Sequence, residues 1–186
     1  MDGPAVMPGR FLPMTAPITL RACTSADAEA LSLVGSATFL ESYAHQIGGA
    51  DIVAHCKGQH GPAYYAKALG DAESRCWIAE TSTTAPVGYQ MLTTPDLPVE
   101  LQAGDIEIKR IYILSRFQGG GLGRRMVDAA LDAARAMGKT RVLLGVYSEN
   151  LPAQGFYARM GFSEIGDRYF TVGGREFYDK VLARPV

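Results

Sequence analysis

Long apolar runs are missing from this sequence, and so is any surplus of charge. No stretch approaches the ~18 consecutive apolar residues of a membrane-spanning helix. Lysine and arginine number 18 against 19 aspartates and glutamates, a net charge of −1. No global field therefore draws the chain to nucleic acid or to an anionic membrane. Cysteine is scarce: Cys23, Cys56 and Cys76 are odd in number and show no paired spacing. That argues against a disulfide framework and fits reduced thiols in the cytoplasm. His45, His55, Cys56 and His60 match no metal-ligand spacing, so no metal is expected. The first 17 residues lack the basic start and apolar core of a secretory signal. With Pro4, Pro8, Pro13 and Pro17 they read as a disordered lead, and residues 18–186 as one domain large enough to bury a core. The single tryptophan, Trp77, falls in a strand pattern and is expected in that core.

Glycine is where the sequence is rich, and one stretch concentrates it. Glu107 to Met137 reads as a strand, a glycine turn and a helix in immediate succession. Ile106, Ile108, Ile111 and Ile113 give the β-branched strand signal. Gln118-Gly119-Gly120-Gly121-Leu122-Gly123 has almost no Cβ atoms, so its N–H groups can approach a ligand closely. Leu122, Met126, Val127, Ala130, Leu131, Ala134 and Met137 then recur at helical spacing. Bare N–H groups at a helix start, with Arg124 and Arg125 beside them, suit a pyrophosphate. Three glycine templates compete for it. A P-loop would need Lys-Ser/Thr after the last glycine, where Arg124-Arg125 stand. The dinucleotide pattern G-x-G-x-x-G is one residue too long, although Glu149 ends the next strand. Gln118, Gly121 and Gly123 satisfy the third, Q/R-x-x-G-x-G/A.

Elsewhere the pattern alternates strands and helices. A strand over Ile18–Ala22 precedes a helix capped by Thr24 or Ser25, with Leu31, Val34, Thr38 and Phe39 inward. Asp51–Leu69 is helical but broken by Gly58, Gly61 and Pro62 into two short pieces. Cys76–Glu80 and Pro86–Thr93 form a hairpin, Thr94–Gly104 a loop, and Arg141–Tyr147 a strand parallel to Asp105–Leu114. Asn150 caps a short helix with Pro152 in its first turn, and Ser163–Phe170 with Arg175–Leu182 closes the chain as a hairpin. Gly155, inside that short helix, suggests close contact with a ligand or strand. The fold class is α/β with a mixed, mostly antiparallel sheet flanked by helices.

The segment IYILSRFQGGGLG resembles motif A of the GNAT (GCN5-related) N-acetyltransferases. The run from Asn150 to Phe162 is similar to that family's N-x-x-A-x-x-F-Y signature with a closing G-F. The resemblance covers roughly Ile18 to Leu182 and implies the GNAT fold. It implies acetyl-CoA as co-substrate and an amine as acceptor. It places Gln118, Gly119, Gly120, Gly121, Leu122, Gly123 and Arg124 at the pyrophosphate, and Ile111, Tyr112 and Ile113 along the pantetheine. Asn150 and Ala153 flank the same arm, and Tyr157 is implied as general acid for the departing thiolate. Asn150 and Tyr157, two helical turns apart, share a face. Family members have a splayed strand near Ile111–Ile113, and often a proline where Ser115 stands here.

Glu107 is a candidate general base or an ordinary strand acid paired with Lys109; in a regular strand it shares a face with Ile111 and Ile113, which a bulge would change. Glu80 and Tyr112 are weaker candidates. A looser similarity to bacterial polyamine (spermidine/spermine) acetyltransferases favours a polyamine acceptor, with Glu41, Asp51, Glu80 and Glu107 as acids around the pocket. Another small amine, a protein N-terminus or lysine, and a non-catalytic acyl-CoA sensor remain alternatives, as does a homodimer.

Overall fold

The computed structural model describes residues 17–186, so the lead expected over residues 1–17 lies, but for its last residue, outside the described residues. The chain runs β1 (Thr19–Ala22), α1 (Ala28–Tyr43), α2 (Gly49–Gln59), α3 (Pro62–Leu69), β2 (Arg75–Glu80) and β3 (Pro86–Thr93). It continues β4 (Asp105–Ile113), α4 (Leu122–Ala136), β5 (Arg141–Tyr147), α5 (Leu151–Arg159), β6 (Ser163–Val172) and β7 (Arg175–Pro185). The breaks fall where the local chemistry demands them. Thr24 and Asp27 form a reciprocal capping box ahead of α1. Pro62 opens α3, where its missing N–H costs nothing. Gly138 and Gly161, at φ +69° and +84°, end α4 and α5 in the left-handed conformation that favours glycine.

The strands form one sheet in the order β1-β2-β3-β4-β5-β7-β6. Every pairing is antiparallel except β4 with β5, which the α4 crossover joins in parallel. Both faces are covered. Leu31, Val34 and Tyr65 of α1 and α3 pack on Ile78, Tyr89 and Met91. Val127, Ala130, Leu131 and Ala134 of α4, with Tyr157 of α5, pack on Leu92, Ile106, Ile108, Val142 and Leu144. Trp77, as expected from its strand, packs against that second cluster.

Two irregularities position the site. The first is a slip in the β3–β4 ladder: Met91 faces Arg110 but Leu92 faces Ile108, leaving Lys109 as an extra residue in β4. The side-chain alternation resets there. Ile111 lies opposite Gln90, whose amide reaches the Met126 carbonyl of α4, whereas Arg110 lies opposite Met91 on the α1/α3 face. The second is a divergence. β4 pairs with β5 only from Asp105 to Ile108, although β4 follows β3 as far as Ile113 and β5 follows β7 as far as Tyr147. The two central strands therefore part like a V.

Gly155 is not held in place by a strand. A Cβ built there meets only the Arg159 guanidinium, at an ordinary 3.5 Å. Gly155→Ala is therefore expected to raise stability by about 0.5–1 kcal/mol through helix propensity. A melting curve should show a rise of about 1–4 °C, and a fall would mean α5 needs the glycine.

Candidate functional site

The parting of β4 and β5 opens a cleft of about 910 Å³. Its walls are Ile108 to Ile113 on one side and Gly145, Val146 and Tyr147 on the other. Backbone groups there that face across the V lack the partner a continuous sheet would supply, so a bound molecule can take them. At the mouth, Gly119 and Gly121 adopt φ +89° and +78°, and Gly121 is the N-cap of α4. A Cβ built on Gly119, Gly120 or Gly121 meets no atom of the chain within 4 Å. The glycines at 119 and 121 thus serve backbone conformation and open space rather than internal packing. The first turn of α4 has neither a side-chain cap nor an acidic residue, so its N–H groups are free for an anion.

On the β5 side, Asn150 Oδ1 accepts from the Ala153 N–H at 3.2 Å, which fixes α5. Asn150, Ala153, Phe156 and Tyr157 line the cleft from that helix. Tyr157 is 8% exposed, with its ring edge-on to Phe156 and Phe162. Burial, and secondarily Tyr112, push its phenol well above the usual tyrosine range. It keeps its proton at neutral pH and can give it to a stronger base.

The acetyltransferase (GNAT) family model matches residues 39–162. The chain belongs to this family. An uncharacterised N-acetyltransferase of Mycobacterium tuberculosis is 30% identical over 158 residues, spanning 85% of this chain and 97% of that protein. In fold, the chain is similar to the PaiA N-acetyltransferase of Thermoplasma acidophilum in complex with coenzyme A, at a TM-score of 0.72 and 17% identity over 91% of this chain and 99% of that one. It is also similar to spermidine N-acetyltransferase of Vibrio cholerae in complex with CoA and spermine, at a TM-score of 0.61 and 22% identity, covering 90% and 95%. The protein is thus a GNAT enzyme, an acetyl-CoA-dependent N-acetyltransferase.

Most of the residues expected for a GNAT site gather in the cleft: Ile111, Tyr112, Ile113, Gln118, Gly119, Gly121, Gly123, Arg124, Asn150, Ala153 and Tyr157 all line it. Gln118 is turned inward, its amide donating to the Ile113 carbonyl at 2.9 Å. Arg124 is largely exposed, and its 3.5 Å contact with Asp128 leaves it mobile enough to meet an anion. Gly120 and Leu122 stand outside the lining; the Leu122 side chain is buried against Ala79, Val87 and Met126. Arg125 is turned away to the Ile18 carbonyl. Ser115, at the position where the resemblance would put a proline, uses both its N–H and its hydroxyl to hold Glu41, at 2.9 and 2.7 Å. A proline could make neither bond.

Glu107 does not reach the cleft. The extra residue at Lys109 puts it on the face opposite Ile111 and Ile113, where it is 1% exposed. Its carboxylate accepts from the Asp96 N–H at 2.8 Å and lies 3.8 Å from Lys109 Nζ. Of the four acids expected around an acceptor, only Glu41 lines the cleft; Glu80, for instance, is held by Arg21 at the far edge of the sheet. Residues the sequence did not flag include Tyr43, Arg110, Gly145 and Tyr147. Gly145 could have been flagged, because a glycine inside an apolar strand signals close approach of something else. Among the described residues no cluster of three histidine, cysteine or acidic side chains could hold a metal.

Behind the α1 wall, His60 is 2% exposed, and its Nδ1 bonds the Tyr65 hydroxyl at 2.9 Å. Burial, with help from Arg110 and His55, pushes its imidazole down to about 3. The unfolded chain takes up that proton near pH ~6.5 and the folded one does not. Stability from this group is therefore complete above pH 6.5 and is lost as pH falls towards 3. One proton gives a slope of at most about 1.4 kcal/mol per pH unit. Denaturant unfolding at pH 7 and pH 5 should show a loss that His60→Gln largely removes, and equal losses in the two proteins would refute it.

Proposed function

We propose that this enzyme passes an acetyl group from acetyl-CoA directly to the primary amine of a small molecule held in the cleft. The observation that carries this reading is the V between β4 and β5, which leaves the Ile111–Ile113 stretch without a strand partner on its β5 side, in the cleft that Tyr157 also lines. In this reading the Ile111–Ile113 backbone pairs with the pantetheine amides, with Tyr112 alongside. Gly119, Gly121 and Gly123 with the first N–H groups of α4, joined by Gly120, the Leu122 N–H and Arg124, hold the pyrophosphate. Asn150 and Ala153 let the arm pass. The amine nitrogen bonds the acetyl carbon, the C–S bond breaks, and the sulfur takes the Tyr157 proton, while the amine releases its proton to water and water reprotonates the phenolate. A backbone N–H near Ile113 polarises the thioester carbonyl. Glu107 acts from outside the cleft, holding Lys109 at the bulge and anchoring the loop at Asp96, so its contribution is positioning rather than direct proton transfer.

A polyamine acceptor draws on Glu41 and Glu149, the two acids that line the cleft, and on the fold likeness to a spermidine acetyltransferase. Both acids already have partners: Ser115 on Glu41, and the Tyr147 hydroxyl on Glu149 at 3.0 Å. Arg110, half-buried where the α1/α3 face of β4 meets the cleft, weighs the other way. The free thiols of Cys23, Cys56 and Cys76 fit a reducing compartment, and we place the enzyme in the cytoplasm. Thiol release from acetyl-CoA, followed over a panel of amines, tests the transfer. Acetyl-CoA alone should raise the melting temperature, since a ligand of the folded state stabilises it. Stabilisation without turnover on any amine would favour an acyl-CoA sensor, and no stabilisation would overturn the donor site.

A further inference from the structure

Arg110 lines the cleft from the α1/α3 face of the sheet, and no carboxylate among the described residues pairs with its charge. It stands on the α1/α3 face of β4, opposite the face on which α4 begins, so it cannot serve the anion at the glycine turn. Three other arginines of the sheet grip a carboxylate: Arg21 holds Asp27 and Glu80, Arg141 holds Asp105, and Arg168 holds Asp179, whereas Arg184 bonds the Met160 carbonyl. Arg110 grips no carboxylate. Its Nη1 donates to the Gln59 carbonyl at 2.6 Å and to the Tyr65 hydroxyl at 3.1 Å. Its guanidinium lies over the Tyr64 ring at 4.3 Å and near that of Tyr65 at 5.6 Å. These contacts fix the plane of the group. They leave its Nε–Nη2 edge without a partner among the described residues. Neither of those nitrogens is a buried atom left unpaired, so neither is sealed from solvent, and Arg110 lines the cleft.

A half-buried guanidinium is costly to hold without a counter-charge. Its Nε–Nη2 edge, with two parallel N–H donors, matches the two oxygens of a carboxylate. A polycation would meet repulsion at the same place. We infer that the acceptor is an amine that also carries a carboxylate, bound side-on by Arg110 while its amine points into the V. This rests on the transferase reading above and names the acceptor's class.

Matched pairs that differ only in the carboxylate give the test: lysine with cadaverine, ornithine with putrescine, phenylalanine with 2-phenylethylamine, tryptophan with tryptamine, and spermidine beside them. Within at least one pair kcat/KM should favour the carboxylated member by about ten- to a hundredfold, as expected for one charge-assisted bidentate contact. Arg110→Gln should abolish that preference by raising KM for the acid. Arg110→Lys, which keeps the charge but loses the fork, should recover only part of it. Acetyl-CoA should still raise the melting temperature of both variants, which confirms that they fold and separates this inference from the donor site. Preference for the decarboxylated members or spermidine overturns it. So does a preference that survives in Arg110→Gln, or turnover of no carboxylated amine in the panel. Loss of the acetyl-CoA shift in the wild-type enzyme would instead overturn the transferase reading.

Discussion

Tyr157→Phe is expected to cut turnover about a hundredfold or more while leaving acetyl-CoA binding and folding nearly intact. The magnitude follows from removing one positioned general acid, which typically contributes 10²–10⁴-fold, so about a hundredfold is a lower estimate. The selectivity follows from the surroundings. The ring sits against Phe156 and Phe162, and phenylalanine preserves those contacts. The hydroxyl is not a buried unpaired atom, and Tyr157 lines the cleft, so removing the hydroxyl is expected to strand no buried donor or acceptor. Steady-state kinetics should therefore show kcat falling with KM for acetyl-CoA almost unchanged, the mark of an interaction made only in the transition state. The direction of the phenol's shift adds a second readout. Because burial raises it, Tyr157 stays protonated throughout the neutral range. Its ionisation should put no basic limb on the rate below pH ~10. A Tyr157→Phe enzyme with wild-type turnover would mean that water, or no group at all, protonates the sulfur.

What the sequence reveals of this site is what depends on local spacing. A helix start, a φ above zero and a cap are decided within a few residues, which is why the turn at Gly119–Gly123 and the Asn150 cap could be read directly. Tyr157 was implied by the family resemblance, and its spacing of two helical turns from Asn150 only agrees with that. Glu107 shows the limit. Whether it shares a face with Ile111 depends on a slip between Met91 and Leu92, a property of the pairing of two strands that neither strand's pattern contains. Arg110 shows a different limit. Its partners Gln59, Tyr64 and Tyr65 lie some way back in sequence, on helices whose docking only the packed core determines. Even the splay was implied only by family resemblance, since nothing in RVLLGVY says where β5 will part from β4.

Gly35→Ala should destabilise the enzyme, although the same substitution at Gly155 should stabilise it. Both glycines lie inside helices, where alanine is worth up to about 1 kcal/mol over glycine. At Gly155 nothing opposes that gain. At Gly35, on the buried face of α1, a Cβ would overlap the Tyr65 hydroxyl and come within 2.7 Å of His60 Nδ1. Tyr65 is fully buried and His60 is 2% exposed, so neither can swing aside into solvent. Overpacking of this kind costs about 1–3 kcal/mol, and losing the His60–Tyr65 hydrogen bond adds roughly 1 more. The clash therefore outweighs the propensity gain, and the melting temperature should fall by several degrees. The consequence for function is selective. Tyr65 and the Gln59 carbonyl fix the Arg110 guanidinium, so displacing Tyr65 loosens Arg110 without touching the glycine turn on the opposite face. Gly35→Ala should accordingly raise KM for the acceptor more than KM for acetyl-CoA. If it instead melts at the wild-type temperature with unchanged acceptor KM, then α1 and α3 can part by a few tenths of an ångström at little cost, and the guanidinium is held by Tyr64 and Gln59 alone.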